Sequence, residues 1–209
     1  SLRNVGAVIV SSDVPPLIRS YRRFAEDRLG VPFHSVSSEM NTGLDIHYDD
    51  PAALGSDRIV NSVAAVHYYG TPAIIVDFGT ATTVEVVGKD ANYLGGAMMP
   101  GVYISLDTLA SRAAKLQNVD LEVGVPKAVA TNTPDALRSG FIFGYAGAVD
   151  SLIRRFRDEL AASESIDGLQ ILATGGPAPA IVPHCHEIRK LDPDLTLKGL
   201  RVLHEMNAG

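Results

Sequence analysis

The sequence predicts an α/β protein in two unequal parts: a βαβα run over residues 1–70 and a complete βββαβαβα unit over residues 71–209. Three observations predict it. Short β-branched runs alternate with longer amphipathic stretches, the pattern of strands covered by helices. Glycines and prolines fall at the joins, at Pro15-Pro16, Gly30, Gly70, Gly79, Gly88 and Gly175-Gly176. Three strand-like runs between residues 73 and 99 leave room only for tight turns, which makes them an antiparallel meander.

Taken in order, residues 5–10 are β-branched and apolar and read as a buried strand. Pro15-Pro16 opens a helix whose apolar residues are Leu17, Ile18, Tyr21, Phe24 and Leu29, and Gly30 closes it. Residues 33–36 form a short strand. Residues 55–69 carry Ile59, Val60, Val63, Ala64 and Val66 at helical spacing, up to Gly70. The meander follows as strands at 73–78, 82–87 and 93–99, with a turn at Gly88-Lys89-Asp90. Helices are expected over 102–114 and from 134 towards 161. Then come a strand at 169–174, the Gly175-Gly176 break, a short helix, a strand near 187–191 and a last helix over 195–206. Met98, Met99 and residues 141–143 read as core.

The chain of 209 residues fits one large or two small domains, and 46% hydrophobic with 20% charged residues is enough apolar content to bury a core. The net charge of −6 argues against a nucleic acid or an anionic membrane as partner, since excess carboxylates repel phosphates. It leaves nucleotides open, because backbone amides and metal ions bind phosphate locally. Cys185 is the single cysteine, so no intramolecular disulfide forms and a reducing compartment is expected. No apolar run reaches the ~18 residues that span a bilayer, and Ser1-Leu2-Arg3-Asn4 lacks the build of a secretion signal. The expectation is a soluble cytoplasmic protein.

Two strings carry chemistry. Gly55-Ser56-Asp57-Arg58 sits where a helix starts. Ser56 and Asp57 there are either caps for orphan amides, or Asp57 is a general base for a hydroxyl and Arg58 a fork of donors for a carboxylate. Asp77-Phe78-Gly79-Thr80-Ala81-Thr82-Thr83 joins the first two meander strands. It is either a polar hairpin turn or a phosphate loop, with a glycine for close approach and hydroxyls as donors. The Asp-Phe-Gly string has none of the companion motifs of a protein kinase. His184-Cys185-His186 places adjacent ligands in different directions and is read as incidental, not as a zinc site.

Tyr48, Gly55-Ser56-Asp57-Arg58, Asp77 to Thr83, Leu94-Gly95-Gly96, Pro100-Gly101, Asn132-Thr133 and Thr174-Gly175-Gly176 stand in one order. In that order and spacing the chain resembles the type III pantothenate kinases, the Bvg accessory factor-like family. The βββαβαβα order likewise resembles the actin-like, ribonuclease H-like superfamily of sugar kinases and Hsp70, which carries the unit twice. The resemblance implies ATP-dependent phosphorylation of pantothenate at the entry to coenzyme A synthesis. It makes Asp57 the proton acceptor, and Tyr48, Gly55, Ser56, Arg58 and Thr133 contacts to pantothenate. Asp77 would hold a monovalent cation, potassium or ammonium. Gly79, Thr80, Gly175 and Gly176 would contact ATP, which arrives with Mg2+. It also implies a homodimer with the helix over 134–161 at its interface.

One departure is visible: the family's opening Asp-x-Gly-Asn-Thr phosphate loop has no counterpart here. The expectation is therefore that residues 1–70 are the tail of a first unit whose opening strands are absent, and that this chain alone is a poor kinase. A non-catalytic accessory homologue and another small-molecule kinase of the superfamily stay open as alternatives.

Overall fold

The computed structural model describes residues 4–113, 119–124 and 127–208. Its centre is a six-stranded mixed sheet. Strands β4 (Ala73–Phe78), β5 (Ala81–Val87) and β6 (Asn92–Pro100) form the antiparallel meander. β7 (Gln170–Thr174) adds parallel to β4, and β8 (Lys190–Leu191) parallel to β7. A two-residue strand β3 (Asp45–Ile46) completes the other edge, parallel to β6. The order is therefore β3-β6-β5-β4-β7-β8. Strands β1 (Val8–Val10) and β2 (Phe33–Ser35) pair in parallel as a separate two-stranded sheet.

Alternation along the strands divides the core in two. Ile74, Val76, Phe78, Val84 and Val86 face helices α3 (Val102–Arg112), α4 (Thr133–Ser163) and α5 (Ala178–Ile181). Ala73, Ile75, Val87, Tyr93 and Leu172 face helices α2 (Ser56–Tyr69) and α6 (Leu195–Asn207). The polar residues Asp77, Thr83 and Glu85 follow the same alternation and so lie on the α2 side. At the α2–α6 crossing an ideal Cβ on Gly199 would fall 2.2 Å from the Val60 carbonyl oxygen. Only a glycine lets the two helices meet there.

Several expectations are corrected. The first strand covers three residues, not six, and is half-buried because only one neighbouring strand covers it. The helix at 15–29 divides into α1 (Pro15–Arg23) and a π-helical turn, Phe24–Leu29, ended by Gly30 at φ 66°. Its apolar stripe is not covered: Leu17, Tyr21 and Phe24 are 41–44% exposed. Met98 is 61% exposed and Met99 half-buried, so the methionine pair is not core; Ile142 is buried, and Phe141 and Phe143 are partly buried against the core cluster. The last residue of the helix expected over 102–114 lies outside the described residues. No helix among the described residues is long and apolar enough to cross a membrane.

Gly199→Ala should destabilise the protein by about 1–3 kcal/mol, the usual cost of overpacking. Urea unfolding measures this, and an unchanged midpoint would contradict the close crossing.

Candidate active site

The motifs around Gly55, Asp77 and Gly175 converge on one end of the structure, at the carboxyl ends of β1, β4 and β7, where α/β sheets commonly bind ligands. The first turn of α2 points to the same place. Gly55 is its N-cap, and two carboxylates flank that glycine. An ideal Cβ there would lie 2.8 Å from Asp57 Oδ1 and 3.3 Å from Asp13 Oδ2. The Ser56 amide donates to Asp13 Oδ1 at 3.3 Å, and the Ser11 and Ser56 hydroxyls are 2.9 Å apart. The Asp57 side chain is exposed and accepts from the Arg58 amide at 2.8 Å. Both acidic groups sit at the positive end of the helix dipole.

Arg58 is turned the other way. Its Nε and Nη2 donate to Glu85 Oε1 and Oε2, each at 2.8 Å, in a bidentate pair. Arg58 is 8% exposed and Glu85 1%. The Tyr93 hydroxyl also donates to Glu85, and Nη1 donates to the Tyr48 hydroxyl at 3.4 Å. The guanidinium lies 5.4 Å from the Tyr48 ring centroid and 5.8 Å from that of Tyr93. Burial alone would lower the Arg58 pKa, but the hydrogen bonds and charge of Glu85 outweigh it and hold the group above its ordinary value. Burial, reinforced by Glu85, pushes the Tyr93 hydroxyl up as well. The fork expected to meet a substrate carboxylate is thus closed on a carboxylate of the protein, with Nη1 as the edge turned to Tyr48.

Asp77, half-buried at the end of β4, accepts from Asn61 Nδ2 at 2.8 Å. Burial raises its pKa; the Asn61 bond lowers it, and the charges of Asp57 and Glu85 raise it. Gly175 has φ 100°, and an ideal Cβ there would fall 2.3 Å from the Phe78 carbonyl oxygen and 2.7 Å from Asp77 Oδ1. A side chain at Gly175 would fill the space beside Asp77. Gly79 and Thr80 form the exposed β4–β5 turn, tied to Gly101 through its amide and the Thr80 carbonyl at 3.1 Å. Gly176 opens onto free space.

The structure therefore brings together Tyr48, Gly55, Ser56, Asp57 and Arg58 around the start of α2, and Asp77, Gly79, Thr80, Gly175 and Gly176 at the adjacent strand ends. Thr133 stands apart. It begins α4, on the opposite face of the sheet, exposed beside its N-cap Asn132. Cys185 is half-buried, and burial pushes its thiol up to about 12. Sequence reasoning missed Asp13, Asn61, Glu85, Tyr93 and Thr196. Glu85 carries a legible signal, a lone charge inside the run Val84-Glu85-Val86-Val87. Asn61, one turn after Asp57, carries another; nothing local marks Asp13 or Thr196.

An exposed carboxylate beside glycine turns that admit close backbone approach is suited to phosphoryl transfer to an alcohol. That is the class of a small-molecule kinase. The chain belongs to the type III pantothenate kinase family, whose model matches residues 1–155. A type III pantothenate kinase of Rubrobacter xylanophilus is 59% identical over 208 residues, covering 100% of this chain and 79% of the relative. Another, from Syntrophobacter fumaroxidans, is 40% identical over 204 residues, covering 98% and 77%. A solved Campylobacter jejuni structure, described as a conserved candidate transcriptional activator of the Baf family, superposes with TM-score 0.61 at 16% identity. It covers 97% of each chain and shares the fold.

Removing one partner of a buried ion pair strands the other charge. Glu85→Leu should cost about 3–5 kcal/mol by urea unfolding, and Arg58→Met added to it should recover most of the loss. A single mutant as stable as the parent would contradict the pairing.

Proposed function

We propose that this chain phosphorylates pantothenate with ATP, more weakly alone than with the family's opening phosphate loop, through a division of labour between the start of α2 and the glycine turns at the strand ends. Asp57 takes the proton of the pantothenate hydroxyl. The hydroxyl oxygen bonds to the γ-phosphorus, the bond to the β–γ bridging oxygen breaks, and ADP leaves. The observation that carries this reading is the Asp57 carboxylate itself, exposed at the helix start and close enough to Asp77 for their charges to interact. Tyr48, Gly55, Ser56 and Arg58 line the pantothenate side, with Arg58 Nη1 as its offered donor. Gly79, Thr80, Gly175 and Gly176 hold the nucleotide, and positioning does most of the work.

The residues also fit the ions that the family resemblance implies. One Asp77 oxygen is taken by Asn61, while the other faces the space beside Gly175. Asp77 would hold potassium or ammonium there, and with the Mg2+ that accompanies ATP this neutralises phosphate charge. The finer fold reading is that residues 71–209 are the complete unit of an actin-like, ribonuclease H-like fold and residues 1–70 belong to the preceding copy. The reaction is assigned to the cytoplasm, which suits a chain whose one cysteine is a half-buried free thiol.

A homodimer through α4 completes the reading. Gly140 and Gly144 lie one turn apart, and an added Cβ at either would meet open space. They line a groove of about 510 Å³ between α3 and α4, with Leu137, Phe141 and Tyr145 among its walls. A partner helix seated there would bring its own Thr133 towards the neighbour's pantothenate.

Asp57→Asn keeps the shape of the helix start but removes the base, so turnover should fall by roughly 10²–10⁴ with the unfolding midpoint unchanged. A coupled ADP assay checks this, and retained turnover would contradict the role. Sedimentation at micromolar concentration should show a dimer that Phe141→Asp converts to monomer; a monomeric parent would rule out the α4 interface.

A further inference from the structure

Asn61 is 2% exposed, and both ends of its amide are occupied. Its Nδ2 donates to Asp77 Oδ2 at 2.8 Å, and its Oδ1 accepts from the Thr196 hydroxyl at 2.7 Å. The chemistry dictates this orientation. An ionised carboxylate only accepts, so the amide nitrogen must face Asp77 and the amide oxygen must face Thr196, whose hydroxyl then has to donate. Thr196 is in the first turn of α6. Three residues on, Gly199 locks α6 against the Val60 carbonyl of α2, so the backbone that carries the hydroxyl cannot drift from Asn61 without breaking a backbone-to-backbone fit.

The consequence falls on the other oxygen of Asp77. With Oδ2 pinned by Asn61, Oδ1 is directed towards the glycine turns. An ideal Cβ on Gly175 would lie 2.7 Å from it, and one on Gly79 3.6 Å. A carboxylate without that bond would rotate through intermediate angles and spread its oxygens over a range of directions.

We propose that Thr196 and Asn61 are positioning residues. They form a relay from α6 through α2 that aims Asp77 Oδ1 into the space between the Gly79 and Gly175 turns, making the C-terminal helix part of the phosphate and cation apparatus. The proposal rests on the reading of Asp77 as cation holder. Neither residue touches substrate. Their effect is confined to ligands that meet Asp77, so the pantothenate side, organised by Tyr48, Gly55 and Arg58, is independent of them.

Thr196→Val keeps the volume of the side chain and removes the donor, leaving a buried amide oxygen unpaired. Asn61→Ser removes the relay at its middle. In either variant the half-saturating potassium concentration and the KM for ATP should rise roughly tenfold, the size of effect expected for losing one hydrogen bond of the relay, while the KM for pantothenate stays put. Thr196→Ser retains the hydroxyl and should restore both values. A second readout needs no turnover: potassium chloride, against tetramethylammonium chloride, should raise the thermal midpoint of the substrate-free parent and of Thr196→Ser, and fail to do so for Thr196→Val. Should Thr196→Val be too unstable to assay, Asn61→Ser carries the same comparison. Asp77→Asn, run beside them, separates two failures. If Asp77→Asn abolishes the potassium response while Thr196→Val and Asn61→Ser keep it, the relay is wrong and the reading of Asp77 stands. If Asp77→Asn itself keeps the response, the reading of Asp77 falls and the relay with it.

Discussion

The buried pair between Arg58 and Glu85 is the constraint on which the site depends. It joins the first turn of α2 to the middle of β5 through two parallel hydrogen bonds, in a region where both groups are largely withdrawn from bulk water. An isolated charge there would be costly, so each residue requires the other. The Tyr93 hydroxyl on Glu85 and the Tyr48 ring beside the guanidinium complete the enclosure. Such a pair need not add net stability relative to an apolar core. What it supplies is direction, since a fork-on-carboxylate geometry admits one orientation of the helix against the sheet. Once Arg58 is turned inward, its neighbour Asp57 is turned outward.

The remaining parts follow from that orientation. With α2 fixed, Asn61 falls one turn further along, over the end of β4, where it meets Asp77. The carboxyl ends of β4 and β7 carry the two glycine turns, and Gly175 gives up its side chain so that the turn after β7 can lie against Phe78. Packing of α6 across Gly199 closes the α2 side of the sheet. On the other face, α4 covers the sheet with Ile142, Ala146, Val149 and Ile153 while keeping Gly140 and Gly144 at its open surface. One layer thus organises chemistry, and the other presents a surface.

Much of this was legible in the sequence because its signals are local. The meander at 73–99 was marked by β-branched runs and tight turns, and its strands fall within a residue or so of expectation. The helix after Gly55 was marked at both ends by glycine. Partners distant along the chain were not legible. Glu85 stands 27 residues from Arg58, and Thr196 stands 135 from Asn61, so no window around either residue shows the bond. Periodicity, moreover, does not report burial. Leu17, Tyr21 and Phe24 repeat at helical spacing, yet they remain exposed, because spacing says which residues share a face and not whether anything covers it. The two-residue strand β3 had too little sequence to announce itself and exists only through its pairing with β6.

In the proposed reaction the hydroxyl acceptor lies at Asp57 and the transferred phosphate at the glycine turns beside Asp77. A crystal structure of the protein with pantothenate and a non-hydrolysable ATP analogue tests it most directly. The pantothenate primary hydroxyl is expected within hydrogen-bond reach of the Asp57 carboxylate, at about 2.6–3.2 Å, with the γ-phosphate between that hydroxyl and the turns at Gly79 and Gly175. Pantothenate bound with its hydroxyl away from Asp57, or a nucleotide lying clear of both glycine turns, would contradict it.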